Sequence, residues 1–337
     1  MPRRGRLHIP GGYYHVIGRG LERRYIFDGV EDKENFLSRL GDNLILCQVQ
    51  CLAWALMSNH YHLLLRVSEK PLSSLMAPLL GGYAGYYNRR HHRSGYVFQN
   101  RFKSILCDAD NYLMELVRYI HLNPIRANMI ESLQELERYQ WTGHAGIFGK
   151  HRKYWHNVDE MLGFFGHARG VARKRYRNFM AKEQYSESGR NLSGGGLVRS
   201  SGGWEMLSRL RKEHSCRIGD ERILGTTSFV EQALKQDELK IDFRSSLEKS
   251  GWTLDKLIIE VCRLYDISEL GLLKKTRETN SSVAKSLICY WGRDLLGLTV
   301  KEIAARLGLS HPAISYRAKT GRQYCESNGI EFEEMMG

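Results

Sequence analysis

Along residues 13–122 the apolar positions recur with two different periods, and the switches between them divide the stretch into strands and helices. Residues 13–19 (YYHVIGR) predict a strand. Residues 31–47 carry a helical period that sets Phe36, Leu40 and Leu44 on one face. Residues 49–57 and 60–67 are two β-rich runs separated by Ser58-Asn59, a turn signal that predicts a hairpin. Residues 72–92 read as a helix weakened by Pro78 and two glycines, and residues 102–107 as a further strand. Residues 110–122 predict a helix that Asp110 caps and Asn123-Pro124 ends. The order β-α-β-β-α-β followed by a helix is that of an α+β fold with a ferredoxin-like split βαβ sheet.

Beyond residue 228 the apolar period is helical almost throughout, over 228–235, 245–249, 254–264, 268–273, 280–295, 299–307 and 310–319. Between the two patterns, residues 185–203 (YSESGRNLSGGGLVRSSGG) are rich in glycine and serine and poor in large apolar residues. The expected organisation is an α+β domain at 1–180, a linker at 181–227 and an all-α domain at 228–337. A chain of 337 residues with 42% hydrophobic content can bury two such cores. No apolar run reaches the roughly 18 residues of a membrane span, so no membrane partner is expected. The basic start MPRRGRLHIPGGYY lacks the apolar segment of a secretory signal. Seven cysteines without a CxxC argue against a zinc site or a disulfide framework and suit a reducing cytoplasm.

Charge adds a partner. The formal net charge is +13, of which +11 falls in residues 1–180 and +2 in the remainder. A surplus of that size favours a polyanion, nucleic acid first. Arg3, Arg4 and Arg6 form a basic arm suited to phosphates. Arg89, Arg90 and Arg93 follow the aromatic series Tyr83, Tyr86 and Tyr87, a combination that suits single strands because bases stack on rings while cations neutralise the backbone. The alternative for this cluster is a solvated helix end.

Two motifs carry candidate chemistry. In Asn59-His60-Tyr61-His62, the histidines lie two apart on a strand and project to one face, where two imidazoles can share a divalent cation. The plainer alternative is a polar pair on a solvated strand face. In Arg118-Tyr119-Ile120-His121-Leu122-Asn123-Pro124, Tyr119 and Asn123 share a helical face one turn apart. A phenol can attack phosphorus, and a carboxamide oxygen can ligate Mg²⁺ or Mn²⁺. Equally, Tyr119 could pack in a core and Asn123 end the helix. Tyr112, seven residues earlier, is a rival nucleophile without a carboxamide four residues on.

Together these motifs resemble the single-tyrosine HUH transposases of the IS200/IS605 type, and more closely the REP-associated branch. LHIPGGYYHVIGRG resembles that family's first strand, WALMSNHYHLLL its histidine strand, and VFQNRFKS the block before its fourth strand. YLMELVRYIHLNPIRANMI resembles its tyrosine helix, and YQWTGHAGIFG its closing segment. The resemblance implies a sheet that binds single-stranded or hairpin DNA. It implies a divalent metal, Mg²⁺ or Mn²⁺, on His60, His62 and Asn123, and Tyr119 as the nucleophile that forms a 5′-phosphotyrosine. Arg101 and Lys103 fall in a family block and would face phosphate. Relatives include both homodimers and monomers, so a homodimer stays open.

Residues 254–319 resemble the C-terminal DNA-binding domain of the replication initiator DnaA, with a helix-turn-helix at 299–319. By that resemblance Lys274, Lys275 and Arg277 would contact phosphates. His311, Ser315, Tyr316 and Lys319 would face a groove of duplex DNA. The initiator's Asp-His-Thr-Thr segment reads Ser310-His311-Pro312-Ala313 here, so its site specificity is not implied. The expectation is a cytoplasmic, nucleoid-associated enzyme of DNA strand transfer. The alternatives are a DNA-binding regulator without chemistry and an RNA-binding protein.

Overall fold

The structure is a computed structural model describing residues 6–184, 220, 222–273 and 279–332. It divides into two compact units, residues 1–234 and 235–337.

The first unit is built on a mixed sheet. Its strands are β1 (Tyr13–Arg19), β2 (Gln50–Leu56), β3 (His60–Arg66), β4 (Lys103–Cys107) and the short β5 (Ile223–Leu224), in the order β2-β3-β1-β4-β5. The first four pair antiparallel, whereas β5 pairs parallel to β4. The strand β5 lies inside the stretch expected as linker. It has only two residues and no alternation of its own, so its place follows from pairing with β4.

Helices α1 (Val30–Cys47) and α2 (Leu72–Arg90) join β1 to β2 and β3 to β4. Both pack on one face of the sheet. There Phe36, Leu40 and Leu44 of α1 and Leu75, Leu79 and Tyr83 of α2 form a core with Tyr14, Val16, Tyr61, Leu63 and Leu65. α2 runs through Pro78. Its residues 72, 75, 76, 79, 83 and 87 are all buried, and this continuous face offsets the loss of one intrahelical hydrogen bond.

Helix α3 (Ala109–Arg126) covers the opposite face, with α4 (Leu133–Leu136), α5 (Gly143–Ile147), α6 (Val158–Gly163) and α7 (Arg169–Gln184) following. The second core contains Leu52, Ala53, Ala55, Leu64, Leu113, Leu116, Val117, Ile120 and Tyr176. Leu52 and Ala53 are consecutive yet face the same way, because β2 slips register between Cys51 and Ala53.

The second unit is helical. α8 (Thr227–Lys249) starts before the unit boundary and is followed by α9 (Leu254–Leu264), α10 (Glu269–Leu273), α11 (Thr279–Asp294), α12 (Val300–Leu307) and α13 (His311–Asn328). The expected helices 228–235 and 245–249 are one helix, because the polar segment between them holds no breaker and continues on propensity. The core gathers Trp252, Leu257, Ile258, Val261, Leu287, Ile288, Trp291, Ile303, Leu307 and Ile314. α12 begins with a Thr299–Glu302 capping box and ends on Gly308 in the left-handed region (φ 63°). Ser310 then caps α13 by accepting from the Ala313 N–H. No helix among the described residues is long and apolar enough to cross a membrane.

Candidate active site

Register sets the site. Across the antiparallel pairs, Arg19 lies opposite His60, and Ile17 opposite both His62 and Lys103. Directly opposed residues share a face. His60, His62, Arg19 and Lys103 therefore stand together on the face that α3 covers. Within β3 the intervening Tyr61 points into the other core.

His60 and His62 have ring centroids 5.0 Å apart. A third imidazole joins them. His15 of β1 stacks on His62 at 5.1 Å, with its Nε2 2.9 Å from His62 Nδ1. Tyr119 of α3 meets this group edge-on, its ring 5.7 Å from that of His62 and 5.9 Å from that of His15. The spacing 119, 123, 126 keeps Asn123 and Arg126 on the tyrosine's side of the helix. The Asn123 Nδ2 group donates to the carbonyls of Tyr119 (2.9 Å) and Ile120 (3.5 Å), which leaves its carboxamide oxygen as an acceptor. The Arg126 guanidinium lies 5.1 Å from the Tyr119 ring centre.

Burial controls the charge state. His15 is held down to about 3 by desolvation. His60 is held down to about 4, by desolvation first and Arg19 second. His62 is held well below the usual histidine value by desolvation, His60, His15 and Arg19 in that order. All three are therefore neutral at pH 7 and carry ligating lone pairs. Desolvation pushes the Tyr119 phenol up to about 12, against the opposing pull of Arg126, Asn123 and Arg19.

The remaining sequence candidates fall in several places. Arg101 and Lys103 are exposed. Arg6 turns inward, 3.9 Å from the Phe102 ring centre and donating to the Phe102 carbonyl at 3.0 Å. Arg89 is exposed at the end of α2, but Arg90 pairs with Glu31 (3.1 Å) and Asp32 (3.4 Å), and Arg93 lies over Tyr87. His311, Ser315, Tyr316 and Lys319 are all exposed on α13. Arg3, Arg4, Lys274, Lys275 and Arg277 lie outside the described residues.

Sequence reasoning missed His15, Arg19 and Arg126. Strand alternation fixes their faces, but only the pairing of β1 with β3 brings the first two to the histidine pair. Arg126 was legible as the next turn after Asn123.

Two further polar clusters lie elsewhere. Asp28, Asp32 and His91 bring ligand atoms within 4.8 Å of one another. Asp32, however, already accepts from the Asp28 and Gly29 backbone N–H groups, and His91 Nε2 lies 2.9 Å from it. With Arg90 also at its side, that carboxylate caps α1 within a network of hydrogen bonds and ion pairs. In the second core, His121 and His144 both hydrogen-bond the Tyr176 hydroxyl through Nδ1, at 2.8 and 2.7 Å. His156 Nε2 donates to the Leu52 carbonyl at 2.9 Å. His121 thus packs away from Tyr119.

Residues 9–123 match the family model of the IS200-like transposases. The match opens just before β1 and closes on Asn123, so it contains His15, His60, His62 and Tyr119. A solved structure of a REP-associated tyrosine transposase bound to a REP hairpin is also similar. It shares 14% sequence identity, with 47% of this chain and 90% of that chain covered and a TM-score of 0.38. No curated protein matches the chain.

Proposed function

We propose that the first unit is a transposase that cleaves and rejoins DNA strands through a covalent tyrosine intermediate. The observation that carries the reading is the meeting of one phenol with two imidazoles of a histidine cluster, within the stretch matched by the IS200-like family. The order β2-β3-β1-β4, with β1 and β2 parallel across the inserted β3, supports a ferredoxin-like split βαβ sheet.

The donor set suits a divalent cation that takes mixed nitrogen and oxygen ligands, Mn²⁺ ahead of Mg²⁺: two neutral imidazoles, and a carboxamide oxygen at Asn123 left over by the amide's own bonds. Such a cation would draw charge from the oxygens of the scissile phosphate. Tyr119 is the nucleophile. Its phenol loses a proton as the tyrosine O–P bond forms. The bond from phosphorus to the 3′ oxygen breaks, and that oxygen takes up a proton. The product is a 5′-phosphotyrosine and a free 3′-hydroxyl. Reversal by another 3′-hydroxyl rejoins DNA. Arg19 and Lys103, on the same face, neutralise flanking phosphates. Burial of Tyr119, 7% exposed, keeps water from competing for the ester. Tyr119 faces the imidazoles of its own chain, so the reading needs no second copy.

The substrate we infer is single-stranded or hairpin DNA. For the second unit we propose a helix-turn-helix in which α13 presents His311, Ser315, Tyr316 and Lys319 to duplex DNA. Incubating the full chain with a labelled hairpin oligonucleotide and Mn²⁺ tests the chemistry. A covalent protein–DNA adduct is expected, and it disappears in Tyr119→Phe. Cleavage that survives this substitution rejects Tyr119 as nucleophile.

A further inference from the structure

Each strand histidine is bonded on its Nδ1 side by a residue with no assigned role. We propose that Asn59 and His15 are positioning residues that hold His60 and His62 in the tautomer presenting Nε2, so that both rings offer a lone pair to one cation. The inference rests on the reading of His60 and His62 as metal ligands.

For His60 the proton can be placed from its neighbours. Asn59 Nδ2 lies 2.9 Å from the Arg23 carbonyl oxygen, which can only accept. The amide's nitrogen is thereby oriented, and its Oδ1 must be the atom 2.7 Å from His60 Nδ1. A carboxamide oxygen can only accept, so His60 Nδ1 carries the hydrogen. A neutral imidazole has one N–H, which leaves Nε2 bare. Flipping the amide would set oxygen against oxygen at Arg23.

Asn59 is itself held. Its carbonyl accepts from the Gly20 N–H at 2.9 Å. The loop it grips contains Glu22 and Arg23 at φ 53° and 62°, left-handed conformations that non-glycine residues rarely adopt. The acceptor for His60 is thus anchored at a tight turn.

His62 shares a proton with His15. His15 Nε2 and His62 Nδ1 are 2.9 Å apart, and one hydrogen lies between them. If His15 donates it, His62 must carry its own hydrogen on Nε2 and cannot ligate through that atom. Ligation requires the opposite arrangement, with His62 donating and His15 accepting. His15 is held in place beside it, 1% exposed on the central strand and stacked on His62 at an interplanar angle of 23°. Among the described residues no hydrogen bond engages Nε2 of His60 or His62.

Metal-bound histidines commonly have a carboxylate on the far nitrogen. Here both acceptors are neutral. The site therefore keeps its positive character toward a phosphate, with Arg19 and Lys103 undiminished by an added anion.

The test uses the full chain without metal. Nitrogen NMR of the imidazole rings reads the tautomers directly, and we expect hydrogen on Nδ1 of both His60 and His62. Hydrogen on Nε2 of either ring overturns the inference. Mn²⁺ binding, followed by electron paramagnetic resonance of the free ion, supplies the second measure. Asn59→Ala and His15→Phe are expected to weaken binding about ten- to hundred-fold. Asn59→Asp keeps an acceptor for His60 but sets a carboxylate oxygen against the Arg23 carbonyl, so it should weaken binding by less than Asn59→Ala does. An Asn59→Asp loss as large as that of Asn59→Ala would show loop support alone and overturn the positioning role. Expected tautomers and Mn²⁺ affinities in a protein that forms no DNA adduct would reject the proposed chemistry while supporting the positioning. Reversed tautomers with adduct formation intact would overturn the positioning alone.

Discussion

The two units solve the problem of burial in opposite ways. The first buries imidazoles and phenols. His15, His62, His121, His144 and His156 are each at most 3% exposed, and Tyr61, Tyr83 and Tyr176 are fully enclosed. The second relies on aliphatic side chains and two tryptophans. Of thirteen histidines in the chain, only His311 falls in residues 235–337, and it is exposed on α13. Under the proposed functions the difference has a reason. A unit that does chemistry at its sheet must carry polar groups inward and satisfy them. A unit that presents a helix needs little beyond a packed core, and among its described polar residues this one buries Ser281, Lys285 and Ser286, all on α11.

Acid offers the largest break in this comparison. Burial holds the His144 imidazole down to about 3 and that of His156 to about 4, and it lowers His121 well below the usual value. A histidine with a depressed folded pKa binds its proton mainly in the unfolded chain. Stability is therefore full above about pH 6.5 and falls as pH drops toward the folded pKa. His144 and His156 should each cost about 2 kcal/mol at pH 5, with His121 acting in the same direction, a large part of the whole stability of a domain. Hydrogen exchange on the full chain at pH 7.5 and 5, corrected for intrinsic rates, measures each unit separately. Protection should collapse in α3, α5 and α7 and persist in α11 and α13. Equal loss in both units would reject the assignment of acid lability to these histidines.

The acid-sensitive cluster also shows where the sequence stops being legible. Periodicity marks β1, the β2–β3 hairpin and the body of α3 well, because each buries a regular face. The ends of α3 differ from expectation: Asp108 precedes it, Asp110 lies in its first turn, and it runs through Asn123 and Pro124 to Arg126. The spacing of His60 with His62, and of Tyr119 with Asn123, needs no tertiary knowledge. What brings His15 to His62 is strand order, which periodicity does not encode. The same holds for Tyr176, which lies in the basic run 169–177 (RGVARKRYR) and yet is wholly buried between His121 and His144. A run of arginines hides a single inward-facing phenol. Pro78 and the glycines of α2 mislead in the other direction, since its buried face outweighs local propensity.

A matched pair of glycines sharpens the comparison at smaller cost. A Cβ on Gly143 would lie 2.8 Å from the His156 ring and 2.9 Å from His121 Nε2. A Cβ on Gly321 would lie 2.2 Å from the Ser286 carbonyl oxygen, where α13 crosses α11. Gly143→Ala and Gly321→Ala should each cost about 1–3 kcal/mol by overpacking. Each should loosen only its own unit, as read by denaturant unfolding with segment-resolved exchange. Gly321→Ala should leave adduct formation on the hairpin intact.

The smallest effect on stability belongs to the exposed face of α13, and it decides what the second unit is for. Tyr316 is 73% exposed, and Lys319 lies one turn on. Arg317 differs from both, because it donates to the Ser282 carbonyl at 3.0 Å and ties α13 to α11. Tyr316→Ala and Lys319→Ala should each shift unfolding by less than about 0.5 kcal/mol. Their effects on duplex DNA should diverge. Losing a phosphate contact at Lys319 lowers the salt dependence of binding, with the log–log slope reduced by about 1. Losing the Tyr316 ring weakens binding without changing that slope. Fluorescence anisotropy across a salt series distinguishes the two. Affinity and slope unchanged in both variants would take this face of α13 out of DNA recognition.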